Sequence, residues 1–152
     1  MASTPTLAAR CRLDRLQAIV EIGVHRYDPA APAASIPIRQ YRALIDTGAT
    51  KSCLTYRTIG SEQLVRHGRK LVKNVHNQNL HGLYMATIGI VATHRIFGGE
   101  FEPSPSYFGL PGPVELMDIA DNDRFDAILG MDVLQHHSFE FARDGEFMLL
   151  LP

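Results

Sequence analysis

Cysteine is scarce in this chain, charge of either sign nearly cancels, and long apolar runs are missing. Only Cys11 and Cys53 are present. Neither belongs to a Cys-x-x-Cys or Cys/His pattern, which argues against a structural zinc site or a redox motif. The formal net charge is -1, so no long basic surface for nucleic acid is expected. The cations at Arg66, Arg69, Lys70 and Lys73 read as a solvated face. No stretch approaches the roughly 20 apolar residues of a membrane span. Residues 1–12 are broken by Pro5 and Arg10 and carry no signal-like apolar run. No membrane partner and a reducing, cytoplasmic setting are therefore expected. Internal repeats and low-complexity tracts are also missing.

What is present is an ordinary globular composition, with 45% hydrophobic and 20% charged residues in 152. A domain of that size buries roughly 70% of its unfolded surface, so its core needs no disulfide or metal. One domain over 13–152 is expected, preceded by a flexible arm over 1–12. Leu13 to Val24 becomes strand-like at its end, where Val20, Ile22 and Val24 alternate with Glu21 and Gly23. Asp28 to Pro37 reads as a Pro-rich surface loop. Ile38 to Ile45 is a strand whose last residues, Ala43-Leu44-Ile45, are apolar without alternation, the mark of burial on both faces. Thr58 to Val72 reads as a short helix or turn. Val75 to Val91 reads as a hairpin turning at Asn77-Gln78-Asn79, and Gly98 to Pro113 as a long irregular connection. Val114 to Ile119, Ala127 to Leu129 and Glu146 to Leu151 are further strands, with a helical turn at Met131 to His136. Many short strands and little helix predict a mostly β, closed or partly closed fold with one or two short helices.

The chemistry is concentrated where the buried strand runs into Asp46-Thr47-Gly48-Ala49. A strand ending in a turn holds a carboxylate rigidly at the edge of the core. Gly48 permits close backbone approach, and the Thr47 hydroxyl can bond inward. By residue type alone, Asp-Thr-Gly is equally a plain turn. A second segment, Phe125-Asp126-Ala127-Ile128-Leu129-Gly130-Met131-Asp132, pairs an apolar run with a glycine far downstream.

Together the two segments resemble the retropepsin-like aspartic peptidases, the family of retroviral and LTR-retrotransposon proteases and their bacterial relatives. The resemblance spans about residues 13–151, with firm motifs at 43–54 and 125–134. It implies a single-domain, half-pepsin closed barrel acting as a homodimer on a peptide or protein substrate without a cofactor. On that resemblance Asp46 would be catalytic. Thr47, Gly48 and Ala49 would form its loop, with Thr47 locking two such loops across the dimer axis. Ile128, Leu129 and Gly130 would cross beneath the loop and support it. The hairpin from Val75 to Tyr84 would be the flap, with Val75, His76, Asn77, Gln78, Asn79, Leu80, His81 and Gly82 binding substrate. The flap tip lacks the family's glycine-rich turn, Gly82 lying to one side, and the 98–113 segment exceeds a minimal domain of this type. Glu146 to Leu151 would lie near the dimer interface or the floor sheet. Two carboxylates sharing one proton are needed for the reaction, and the chain has one Asp-Thr-Gly. A symmetric dimer would supply the other.

Other readings compete. His76, His81, His94, His136 and His137 fit no recognised ligand spacing, so no metal is expected. Asp126 and Asp132 lack a following Thr/Ser-Gly and read as structural. Ser52-Cys53 lacks the glycine elbow of a nucleophile. The sequence also lacks the second acidic residue or Lys-Thr-Gly arrangement expected of an aspartyl-phosphate enzyme. A catalytically silent peptide-binding or dimerisation module on the same scaffold remains open.

Overall fold

The computed structural model describes residues 6–14, 17–30, 39–73, 75–141 and 147–151. Among the described residues, eleven strands and two short helices follow one another as β1 (Thr6–Asp14), β2 (Gln17–Arg26), β3 (Tyr41–Ile45), β4 (Cys53–Thr55), α1 (Tyr56–Ser61), β5 (Arg66–Lys73), β6 (Gln78–Phe97), β7 (Glu100–Gly109), β8 (Val114–Ile119), β9 (Ala127–Leu129), α2 (Met131–Leu134), β10 (Ser138–Phe141) and β11 (Phe147–Leu151). The mostly β expectation agrees with this order. Strand order in the single sheet is β10-β11-β1-β2-β3-β9-β4-β8-β6-β5, with β7 beside β6.

The longest strand, β6, shows why the sheet folds around a core. Ala86, Ile88, Ile90 and Ala92 occupy alternate positions and are all fully buried, as the period of two requires. The same strand pairs with β1 and β2 as well as with β5, β7 and β8. It thereby joins both halves of the sheet over a shared core that includes Val20, Ile22, Leu54, Leu116, Leu129 and Leu149.

Several expectations about elements are corrected. Residues 6–12, read as part of a loose arm, lie in β1, where Leu7 to Cys11 pair with Leu151 to Phe147. Ala8 and Ala9 are fully buried; small side chains pack there without the bulky alternation that marks a strand. The helix expected within 58–72 is confined to α1, and Arg66–Lys73 is the first strand of the β5–β6 hairpin. Lys73 pairs with Gln78, so the chain reverses between them, and Gln78 and Asn79 are strand residues rather than the turn. Gly98 to Pro113 contains β7, paired along β6 from Glu100 to Gly109. Pro103 and Pro105 are tolerated because β7, among the described residues, has a neighbour on one side only. Most of the expected 28–37 loop, part of the arm, and Glu146 fall outside the described residues. The expected strands at Val114–Ile119 and Ala127–Leu129 and the helical turn at Met131 match β8, β9 and α2.

Candidate active site

Asp46 lies directly after β3, and β9 holds the end of that strand in place. β9 runs between β3, to which it is parallel, and β4, to which it is antiparallel. Ile45 pairs with Leu129, and the Asp46 N–H donates to the Leu129 carbonyl at 3.0 Å. The turn closes on itself: Ala49 N–H donates to the Asp46 carbonyl (3.2 Å), and Gly48 N–H donates to Asp46 Oδ1 (2.9 Å). Asp46 is half-buried while Thr47 and Gly48 are exposed. Its carboxylate is therefore oriented by a backbone donor yet open to solvent on one side.

The far side of the loop is fastened to Gly130 and α2. Met131 and Asp132 N–H groups donate to the Ala49 and Thr50 carbonyls at 2.7 and 3.2 Å. Gly130 must be glycine: a Cβ there would lie 2.8 Å from the Ala49 carbonyl oxygen and 2.9 Å from the Lys51 carbonyl carbon. Ser52, fully buried, ties the pieces together. Its hydroxyl donates to Asp132 Oδ1 (2.7 Å) and accepts from Gly130 N–H (2.9 Å), while its own N–H donates to Asp132 Oδ2 (3.0 Å). Asp126 does a similar job at the other end of β9. It accepts from Arg42 N–H at 2.9 Å and from the Arg57 guanidinium at 3.2 Å. The two flanking aspartates thus hold backbone.

Strand register reveals a surface that leads away from Asp46. Leu44 pairs with Ile128, Ile128 with Cys53, Cys53 with Met117, and Met117 with Leu83. Paired residues share a face of a pleated sheet. The row is apolar throughout, and all but Cys53 are only partly buried. Adjacent Ala43, Leu54, Ala127 and Leu129 point the other way and are at most 1% exposed. Burial pushes the Cys53 thiol up to about 11, with Asp132, Asp118 and Asp46 adding to the rise, so it is a thiol at neutral pH.

Beyond this row the surface becomes charged. Lys51 pairs with Glu115, and His67 Nε2 approaches the other Glu115 oxygen at 3.4 Å. The Lys51 hydrogen bond holds the Glu115 carboxyl below its ordinary range. Lys51 and Glu115 border a cleft of about 860 Å³, lined also by Thr50 and Lys70, by Phe108 to Val114 in part, and by Asp132, Val133, His136 and His137. His137 packs edge-on against Phe108 at 6.0 Å between centroids. Both its ring nitrogens are buried without a hydrogen-bond partner, and burial lowers its pKa, with His136 adding to the effect.

The expected flap residues are not gathered around Asp46 by any described contact. Val75, 93% exposed, His76 and Asn77 lie at the reversal of the β5–β6 hairpin, and Gln78 to Gly82 lie on β6. Leu71 and Leu80 pair across the hairpin, and both are exposed. His81 Nδ1 sits 2.7 Å from the Asp118 carbonyl oxygen, anchoring the base of the hairpin to β8. Among the described residues no three His, Cys, Asp or Glu side chains group to hold a metal. No helix among them is long and apolar enough to cross a membrane.

Sequence reasoning missed Ser52, the Lys51–Glu115–His67 group and the apolar row. The row was recoverable only with the register in hand. Ser52 carried no signal, because its partner lies on a distant segment.

No family model matches the sequence, and no curated protein does. Solved structures do. A retropepsin-like aspartic protease from Rickettsia conorii superposes with a TM-score of 0.52 at 15% identity, covering 99% of this chain and 98% of that one. The retroviral protease-like domain of Ddi1 from Leishmania major gives 0.35 at 14% identity, over 93% and 85% of the two chains. With β9 threaded between β3 and β4 beneath the Asp46 loop, and with the Rickettsia structure matched end to end, the chain has the retropepsin-like fold.

Proposed function

We propose that the chain is an aspartic endopeptidase, cutting peptide bonds with a water held between Asp46 of one subunit and Asp46 of a second copy. The observation that carries this reading is the half-buried Asp46 carboxylate, fixed by Gly48 N–H and by the Leu129–Gly130–Ser52 brace, at the head of an apolar surface. In the reading the two carboxylates share one proton, because like charges about 3 Å apart do not both ionise. The ionised member takes a proton from the water as the water's oxygen attacks the scissile carbonyl carbon. The protonated member donates to the carbonyl oxygen. Collapse of the tetrahedral adduct breaks the C–N bond as the nitrogen takes the proton from the member that deprotonated the water and a hydroxyl of the adduct returns a proton to the other member.

Thr47, exposed on the loop, is assigned to the contact between subunits, and Gly48 and Ala49 to the substrate backbone. The β5–β6 hairpin from Val75 to Gly82 is assigned to closing over the peptide. Pairing of β6 with β1 and β2 supports reading the sheet as a closed barrel. The test is incubation of the protein with a denatured protein and a peptide library from acidic to neutral pH. Cleavage is expected in wild type and not in Asp46→Asn. Cleavage by a folded Asp46→Asn protein overturns the reading, and peptide binding without cleavage by wild type identifies a silent binding module.

A further inference from the structure

We infer that the cleft beside the Asp46 loop recognises an acidic side chain of the peptide, through Lys51 and Lys70; this rests on the peptidase reading above. Lys51 lies two residues before Cys53 on one segment, and Glu115 two before Met117 on β8. Glu115, within β8, therefore shares the face of the apolar row that starts at Leu44 beside Asp46, and Lys51 is joined to it by the ion pair. A peptide extended along that row reaches the cleft with a side chain some residues from the bond being cut. Lys70 lines the same cleft from β5.

Chemistry selects the occupant. The two carboxylates in the wall are already engaged. Asp132 accepts from Ser52 N–H, the Ser52 hydroxyl and Val133 N–H. Glu115 is bound by Lys51 and approached by His67. The groups left over in the charged part of the wall are donors: the remaining ammonium N–H bonds of Lys51 and those of the exposed Lys70. A carboxylate is acceptor-only, with about four lone-pair sites, and satisfies such a wall. A glutamine offers half of that and brings two donors into a wall of donors. A lysine side chain meets like charge. Phe108, Leu110, Pro113 and Val133 line the remainder and suit the aliphatic stem of a glutamate.

The experiment uses peptides identical except for one flanking position, which carries Glu, Gln, Leu or Lys. Each peptide is assayed for cleavage by wild type and by Lys70→Glu, and for binding to the uncleaving Asp46→Asn variant by fluorescence anisotropy. At one flanking position the Glu peptide is expected to have about tenfold higher kcat/KM than the Gln peptide, the scale of one charge-assisted hydrogen bond. The gain should lie in KM, with the same order of affinity in the anisotropy series. Lys70→Glu should lose the preference and favour the Lys peptide. Equal values for Glu and Gln at every position, a preference for Leu, or an unaltered preference in Lys70→Glu overturns the inference and leaves the peptidase reading intact. If wild type cuts nothing, the peptidase reading fails and the anisotropy series decides. A Glu preference there keeps the cleft as a peptide-recognition site, and its absence, including no binding at all, rejects it.

Discussion

At Gly130 a hydrogen is the largest side chain the site accepts. Both atoms that an added Cβ would strike belong to backbone, so the clash cannot be relieved by a rotamer change. Gly130→Ala should push α2 away from the Asp46 loop and destabilise the fold by about 1–3 kcal/mol, the usual scale of overpacking. Denaturant unfolding measures it, and a change near zero would mean that the loop is not braced there. His137 gives a second expectation, on pH. Its folded pKa lies below the ordinary 6.5, so below that value the unfolded chain binds the proton more readily than the folded one. Stability should therefore fall as pH drops from about 6.5 toward the folded value. His137→Phe keeps the contact with Phe108 and removes two unpaired buried nitrogens. It should stabilise the protein by roughly 1 kcal/mol and narrow the gap between unfolding free energies at pH 5.5 and 7.5. An unchanged gap assigns the acid sensitivity elsewhere. The Asp46 and Gly130 segments were legible because each couples an unbroken apolar run to a turn residue, a pattern local in the chain. Ser52 was not: its meaning depends on Asp132 and Gly130, which only the fold brings within 3 Å.

Among the elements, the β6–β7 hairpin shows what local signals carry and what they conceal. Gly98 and Gly99 have φ of +60° and +82°, between the paired residues Phe97 and Glu100. Positive φ at both central positions is the signature of the tight hairpin turn that follows strand twist, and Gly-Gly is one of its sequence marks. The Gly and Pro content of 98–113 read as an irregular connection, yet Pro103 and Pro105 argue only against a central strand and permit an edge one. Replacing Gly98 and Gly99 with alanine forces a Cβ into left-handed backbone at each, at about 1–2 kcal/mol per residue. Additive losses of that size in thermal unfolding are expected, and a neutral double variant would show that another turn serves equally well. β5 was hidden for a different reason. Arg66 to Lys73 is largely solvated on both faces, so it carries no alternation to read. Strands facing the core, such as β2 and β3, were legible because burial writes period two or an apolar run into them.

For the whole molecule the decisive count is one Asp-Thr-Gly loop per chain. A single Asp46 holds either the proton or the charge, and the proposed reaction needs both at once. Asp118, Asp126 and Asp132 do not offer a second loop: Asp118 is buried against the hairpin base, and the other two are spent on backbone and side-chain donors. Within one chain the terminal strands are already paired, β11 lying between β1 and β10, so the fold of the protomer does not require an exchange of termini. On the proposed shared dyad, association governs activity more than folding does. Specific activity should fall on dilution below the dimer dissociation constant, because mass action empties the shared site. Mixing wild type with Asp46→Asn is the sharper measurement, since it leaves the interface residues other than Asp46 unaltered. Random association at equal amounts gives about half heterodimers and a quarter wild-type homodimers, by the symmetry of a two-fold assembly. If both carboxylates are required, activity per wild-type chain should drop to about half of its unmixed value. If each Asp46 works alone, a heterodimer keeps half the activity of a wild-type dimer and activity per wild-type chain stays level, and if one carboxylate suffices for the shared site it rises to about one and a half times. A level response, or full activity from a species that sediments as a monomer at every concentration, removes the shared dyad.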